Sequence, residues 1–176
     1  PGEGTRPLGD RVKDTLFGVL EAGRLAPWPA PFLDLFAGSG AAGIEALSRG
    51  APRATFVERD RRAVTVIAAN LARARLTERA TIVTGDAIAF LEPPPGAGLA
   101  GFGAVLVDPP YGDATLLLAL ERLAEPEACW LAESAVVVAK HFWRDAPPER
   151  IGALEATRAR RFGETALTFY TRGGRP

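Results

Sequence analysis

The chain has 176 residues, of which 47% are hydrophobic and 24% are charged, and its 21 basic residues balance its 21 acidic ones. This length and composition predict one globular domain over residues 1–176, with an N-terminal linker and helix (1–31) and a core (32–176). No apolar run reaches the roughly 18–20 residues that a membrane helix requires, and no signal peptide opens the chain. One cysteine, Cys129, and one histidine, His141, exclude an internal disulfide and argue against a zinc site. We therefore expect a cytoplasmic protein without a structural metal.

Hydrophobic spacing predicts helices and strands that alternate along most of the chain. In chain order they are helix 10–20, strand 32–36, helix 43–48, strand 54–57, helix 61–75, strand 81–83, helix 88–91, strand 102–107, helix 116–123 and strand 135–139. This alternation predicts an α/β fold, with a mostly parallel sheet and helices on both faces. Two last extended segments, 154–161 and 166–171, are joined too closely for a crossover, so they should form an antiparallel hairpin.

A glycine-rich turn follows the first predicted strand. Gly38, Gly40 and Gly43 match the spacing of the dinucleotide-binding fingerprint, and Glu58 lies at the distance expected for an acid that holds ribose hydroxyls. Glycines allow a tight turn and the close approach of a ligand to the backbone at a helix N-terminus. An NAD-binding oxidoreductase is therefore one interpretation, and glycines that serve only the turn are another.

Acidic residues at the strand ends favour S-adenosylmethionine as the ligand instead. Asp34 ends the first strand, where a carboxylate could meet the ammonium and sulfonium end of that cation, and a pyrophosphate would gain nothing from it. Asp86 follows the third strand and could accept a hydrogen bond from an adenine amino group. A dehydrogenase would also need a substrate domain, for which no residues remain. The predicted cofactor contacts are Asp34, Phe36, Ala37, Gly38, Gly40, Glu58, Arg59, Asp86, Ala87 and Asp108.

The segment Asp108–Tyr111 (Asp-Pro-Pro-Tyr) follows the fourth predicted strand. Its two prolines end that strand and remove two backbone donors. The Asp108 carboxylate and the Pro109 carbonyl can each accept a hydrogen bond, and Tyr111 offers an aromatic face, which suits a planar ring with an exocyclic amino group. A strand-ending turn with a capping aspartate is the simpler alternative. We predict that Asp108, Pro109, Pro110 and Tyr111 are the catalytic residues.

Several motifs together resemble those of the bacterial 16S rRNA guanine-N2 methyltransferases that modify guanine 966 of the small subunit. They are Thr5–Pro7, Phe36–Gly40 (Phe-Ala-Gly-Ser-Gly), Glu45–Gly50 (Glu-Ala-Leu-Ser-Arg-Gly) and Val107–Tyr111. The resemblance implies a Rossmann-like class I methyltransferase fold with a seven-stranded sheet, S-adenosylmethionine as cofactor, and 16S rRNA in the 30S subunit or its assembly intermediates as partner. It also implies a monomer without a metal.

The Asp-Pro-Pro-Tyr segment alone would fit methylation of DNA adenine, rRNA or protein glutamine. Alternative functions are methylation of DNA adenine or tRNA guanine, and an RNA-binding module with a degenerate site. For substrate binding we predict Arg6, Arg11 and Tyr111, with Tyr111 stacking on the extruded base. Arg158, Arg160 and Arg161 share a predicted edge strand, where solvated side chains are the simpler interpretation.

Two departures from the family pattern bear on these expectations. Members of the family usually begin with a basic, glycine-containing segment that does not precede Thr5 here, so we expect weak action on substrate if that segment contacts RNA. Many members carry acids where this chain has Lys140 and His141.

Overall fold

The computed structural model describes residues 9–22, 30–92, 101–110, 112 and 114–173. Within these residues one sheet contains eight strands: β1 (Phe32–Asp34), β2 (Ala54–Glu58), β3 (Ala80–Thr84), β4 (Phe102–Val107), β5 (Leu131–Phe142), β6 (Arg150–Ile151), β7 (Leu154–Phe162) and β8 (Thr165–Arg172). The helices are α1 (Asp10–Leu20), α2 (Ala41–Ser48), α3 (Arg61–Ala74), α4 (Ala87–Leu91) and α5 (Thr115–Ala124), with short 3-10 helices at Thr77–Arg79 and Pro126–Ala128.

The strand order across the sheet is β3-β2-β1-β4-β5-β8-β7-β6. Strands β1 to β5 are parallel, and β8 runs antiparallel to both β5 and β7. The predicted class I methyltransferase architecture, with its parallel core and closing hairpin, is confirmed. The sheet has one strand more than the predicted seven, because the two residues of β6 pair with Leu154 and Glu155.

Helices cover both faces of the sheet, which explains why all six residues of β4 are buried. On one face α1, α2 and α3 pack on a cluster that includes Phe32, Phe56 and Leu106. On the other face α4 and α5 pack on a cluster that includes Val105 and Val107. None of the helices in the described residues is long and apolar enough to cross a membrane.

Strand β5 is longer than the predicted segment 135–139. It continues to Phe142 because Lys140, His141 and Phe142 pair with Leu167, Ala166 and Thr165 of β8. Lys140 and His141 therefore lie within a central strand and not in a loop beyond it. The backbone of β8 holds them at the carboxyl end of the sheet, beside the end of β4.

Candidate active site

The sheet order reverses between β1 and β4, and the loops after these two strands diverge. In doubly wound α/β folds, ligands bind in the crevice that forms at such a switch point, outside the carboxyl ends of the strands. Asp34 ends β1, Glu58 ends β2 and Asp108 follows β4. Asp86 follows β3, and the Gly85 amide donates to the Glu58 carbonyl at 3.0 Å. Four of the predicted acids therefore lie along one edge of the sheet.

The glycine turn after β1 needs its glycines for two different reasons. Gly38 (φ 54°) and Gly40 (φ 78°) adopt left-handed backbone conformations that disfavour side chains. Gly43 lies in α2, where a Cβ atom would stand 2.2 Å from the Phe56 ring on β2. The first two glycines shape the turn, and the third allows α2 to pack closely on the sheet.

Glu58 and Asp86 both accept hydrogen bonds from backbone amides. The two carboxylate oxygens of Glu58 accept from Gly38 and Asp60, each at 2.8 Å, so Glu58 ties the end of β2 to the glycine turn. One oxygen of Asp86 accepts from Ile88 at 2.8 Å and from Ala89 at 3.0 Å. Asp86 is therefore the N-cap of α4, a role that it could combine with a contact to a ligand.

Asp34 is 2% exposed, and its carboxylate accepts a hydrogen bond from the Gly43 amide at 3.1 Å. Burial raises the pKa of this carboxyl from 3.8 to about 7; the Gly43 amide opposes the rise, and the carboxylates of Asp108 and Glu58 add to it. A buried acid surrounded by other acids would be stabilised by a cation. The glycine turn therefore suits a positively charged ligand better than a pyrophosphate.

Asp108 forms an ion pair that the sequence prediction missed. The Lys140 Nζ lies 2.6 Å from Oδ1 and 2.8 Å from Oδ2 of Asp108. Burial raises the pKa of the Asp108 carboxyl, and Lys140 opposes that rise by its charge and its hydrogen bond. The pair follows from the register of β4 and β5, in which Val107 lies beside Ala139, so that Asp108 and Lys140 are neighbours; local sequence gives no signal for it.

A cleft of about 480 Å³ opens next to Asp108. Its walls come from the end of β4, the start of α5, the end of β5 and the loop after β5. The lining residues are Pro109, Pro110, Gly112, Ala114, Leu116, Leu117, Lys140, His141, Phe142, Asp145, Ala146, Pro147 and Pro148. The His141 ring nitrogens lie 2.8 Å from the Phe142 carbonyl and 2.9 Å from the Thr168 hydroxyl, so this side chain is fixed within the wall.

Arginine side chains lie near the rim of this cleft. Trp143 follows Phe142, and the guanidinium carbons of Arg161 and Arg144 lie 3.6 Å and 4.8 Å from the centre of the Trp143 ring. Arg158, Arg160 and Arg161 are all exposed on β7. This arrangement leaves guanidinium groups at the surface, where they can contact phosphates.

The remaining predicted site residues fall into three groups. Phe36 and Ala37 lie in the turn after β1, Ala87 is the first residue of α4, and Arg59 is exposed directly after β2. Arg11 is exposed on the first turn of α1, and the contacts within the described ranges do not connect it to the strand ends. Arg6 and Tyr111 lie outside the described residues.

Comparison with known proteins identifies related sequences and structures. The family model described as "Conserved hypothetical protein 95" matches residues 1–171. Ribosomal RNA small subunit methyltransferase D of Escherichia coli (strain K12) is 34% identical, over 96% of this chain and 80% of that protein. The Bacillus subtilis (strain 168) protein YlbH is 36% identical, over 98% of this chain and 91% of that protein. The solved structure of the Escherichia coli protein yhhF aligns with a TM-score of 0.81 and 33% identity, covering 96% of this chain and 88% of that one.

Proposed function

The chain belongs to the family described as conserved hypothetical protein 95, the family of ribosomal RNA small subunit methyltransferase D, and from this membership we propose that it methylates the exocyclic N2 of a guanine in 16S rRNA. The observation that carries the proposal is the position of Asp108. It is a strand-end carboxylate, followed by two prolines, beside a cleft of about 480 Å³ and next to the glycine turn of β1. The proposed enzyme acts in the cytoplasm as a monomer without a metal.

The acids around the glycine turn fit S-adenosylmethionine, which when bound supplies an electrophilic methyl group on a positively charged sulfur. Asp34 would face its cationic end, Glu58 its ribose hydroxyls and Asp86 its adenine amino group. Gly38 and Gly40 would allow the ligand to approach the backbone. The raised pKa of Asp34 supports this assignment, because a nearby cation would relieve the cost of ionising a buried carboxyl.

The proposed chemistry depends on how the chain holds the amino group of the base. Its lone pair is delocalised into the ring, so the nitrogen is a poor nucleophile. The Asp108 carboxylate and the Pro109 carbonyl would accept hydrogen bonds from its two hydrogens and fix the orientation of the nitrogen. The Asp108 carboxylate would receive the proton that the nitrogen loses as the methyl group leaves the sulfur. Positioning and electrostatics would supply most of the rate. Tyr111 is proposed to stack on the extruded base.

The first expected result separates this proposal from its alternatives through the cofactor. In calorimetric titrations, S-adenosylmethionine and S-adenosylhomocysteine should bind, and NAD should not. The glycine spacing fits both ligand classes, whereas the buried Asp34 fits only the cationic one. Tight binding of NAD without a signal from either S-adenosyl ligand would favour an oxidoreductase. Binding of none of the three would favour an RNA-binding module with a degenerate site.

The second expected result concerns the RNA. With a net charge of zero over the whole chain, the protein cannot hold a long naked RNA helix by charge alone. Recognition should depend on a shaped surface that presents one exposed guanine, so 30S particles should be methylated much faster than free 16S rRNA. Phosphate contacts from exposed arginines such as Arg161 should make the reaction sensitive to salt.

The measurement is incubation of both substrates with labelled cofactor, followed by mass spectrometry of the nucleosides. The appearance of N2-methylguanosine supports the proposal, and methyladenosine would assign the activity to another exocyclic amine. Equal or faster labelling of free 16S rRNA would contradict the requirement for an assembled subunit.

A further inference from the structure

The Asp108–Lys140 ion pair lies at the centre of the candidate active site. The parallel register of β4 and β5 brings the two residues side by side, and the ammonium contacts both carboxylate oxygens at 2.6 Å and 2.8 Å. The side chains of Lys140 and Asp108 are only 12% and 17% exposed. Lys140 also lines the cleft, so one member of the pair is part of the cleft wall.

Burial raises the pKa of the Asp108 carboxyl even with Lys140 beside it, and the Lys140 ammonium limits that rise. The charge of Asp108 in turn raises the pKa of Asp34 at the end of β1. Glu58, on β2, also raises the pKa of Asp34. From β5, His141 is held by Thr168 and Phe142. Within the described part of the chain, Lys140 is the cation that balances this group of acids.

Stability does not account for such a pair. Removing two charges from water costs several kcal/mol for each ion, and buried ion pairs are often no more stabilising than apolar residues of the same size. A bidentate contact between an ammonium and a carboxylate does, however, fix the position and the protonation state of the acid. In a site where that acid must accept hydrogen bonds, both effects serve the chemistry.

We propose that Lys140 is a positioning residue for methyl transfer, which favours the ionised form of the Asp108 carboxylate and orients it to accept hydrogen bonds from the amino group of the base. The inference rests on the proposed function, because it assigns Lys140 a role in that same reaction. A protonated Asp108 would lose an acceptor position, so transfer should fail as the pH falls through the pKa of Asp108. Removing the ammonium should move that limit to higher pH.

The test compares Lys140→Met, which keeps the length of the side chain without its charge, with Lys140→Arg, which restores the charge. Lys13→Met is the matched control, because Lys13 lies 3.8 Å from Asp10 and 3.7 Å from Glu45 on the α1–α2 side of the fold. Two quantities are measured: kcat on 30S particles as a function of pH, and the pKa of Asp108 by carbon NMR of the carboxyl groups. The NMR measurement needs neither cofactor nor RNA, and its signal is assigned with Asp108→Asn.

In Lys140→Met, the pKa of Asp108 should rise by about 1–3 units, the usual effect of losing an adjacent opposite charge. The acid limb of the kcat profile should move by the same amount, with activity recovering at alkaline pH. Lys140→Arg should recover the wild-type profile, and Lys13→Met should not change it. An unchanged Asp108 pKa in Lys140→Met, or equal loss of activity at every pH, would overturn the inference. Wild-type protein that transfers no methyl to 30S particles would instead overturn the proposed function.

Discussion

Replacing Asp108 with alanine is expected to lower methyl transfer by orders of magnitude, while the affinity for S-adenosylmethionine changes little. The carboxylate lies at the border of the cleft and is held by Lys140 at 2.6 Å, so it is already oriented before a base enters. Loss of one preorganised polar group that stabilises a transition state typically costs about 10²–10³ in kcat. Single-turnover methylation of 30S particles measures the rate, and calorimetry measures cofactor binding.

Two further variants separate the chemistry of Asp108 from its structural role. Asp108→Asn keeps the volume of the side chain and one acceptor oxygen but loses the charge, so its rate should fall between those of wild type and Asp108→Ala. Glu78→Ala removes an exposed acid from the 3-10 helix before β3, at the opposite end of the sheet from the cleft, and should leave the rate nearly unchanged. Thermal melting of each variant checks the fold, because Asp108→Ala leaves the Lys140 ammonium in a poorly solvated position. Near wild-type turnover in Asp108→Ala would contradict the assignment.

Local sequence patterns were sufficient to predict the parallel half of the fold. Helix α1 and strand β4 have the predicted boundaries, 10–20 and 102–107. Both carry strong signals, since α1 places Val12, Leu16 and Leu20 on one buried face and β4 is apolar throughout. The acids at the strand ends were also predictable, because the carboxyl ends of parallel strands meet at one edge of the sheet.

Features that depend on pairing with another strand were not predictable from the pattern of the segment itself. The two residues of β6 carry no periodicity, and their strand exists because β7 pairs with them. The extension of β5 through Lys140 depends on β8 in the same way. The outer wall of the cleft, residues 145–148, lies in a loop with no pattern to mark it.

In the candidate site, too, some features could be predicted from local sequence, whereas others depend on contacts between distant residues. A role for Asp108 could be proposed from its own neighbours, Pro109 and Pro110. Its ion pair joins two residues that are 32 positions apart in the chain, and it depends on the register of their strands. Gly43 illustrates a related limit: its spacing matches a ligand-binding fingerprint, but its structural role is the contact with Phe56.

Replacing Asp34 with asparagine is expected to raise the free energy of unfolding and to weaken cofactor binding. In the folded protein the pKa of Asp34 is about 7, against 3.8 for an exposed aspartate. The folded state therefore favours the protonated form, and ionisation of Asp34 destabilises it. This cost is absent below about pH 4, grows as the pH rises towards 7, and is complete above 7. Asparagine cannot ionise, yet its side-chain oxygen can still accept from the Gly43 amide.

Urea unfolding at several pH values measures the effect of Asp34→Asn on stability. Near pH 8 the variant should be more stable than wild type by up to about 4 kcal/mol, since one unit of pKa shift corresponds to about 1.4 kcal/mol. Near pH 4 the two proteins should be similar. Asp145→Asn, which changes an exposed acid, should show no such dependence. The same difference in stability at every pH would show that the cost of ionising Asp34 is not its source.

Cofactor binding by Asp34→Asn should change in the opposite direction. In wild type, the affinity for S-adenosylmethionine should increase as the pH rises through 7, because ionised Asp34 attracts the cationic end of the ligand. The variant should bind more weakly near pH 8 and should lose this dependence. Comparison with S-adenosylhomocysteine, which keeps the ammonium but lacks the sulfonium, identifies which charge Asp34 meets. If Asp34→Asn is more stable but binds both ligands as tightly as wild type at pH 8, Asp34 faces neither charge, and the proposed orientation of the cofactor is wrong.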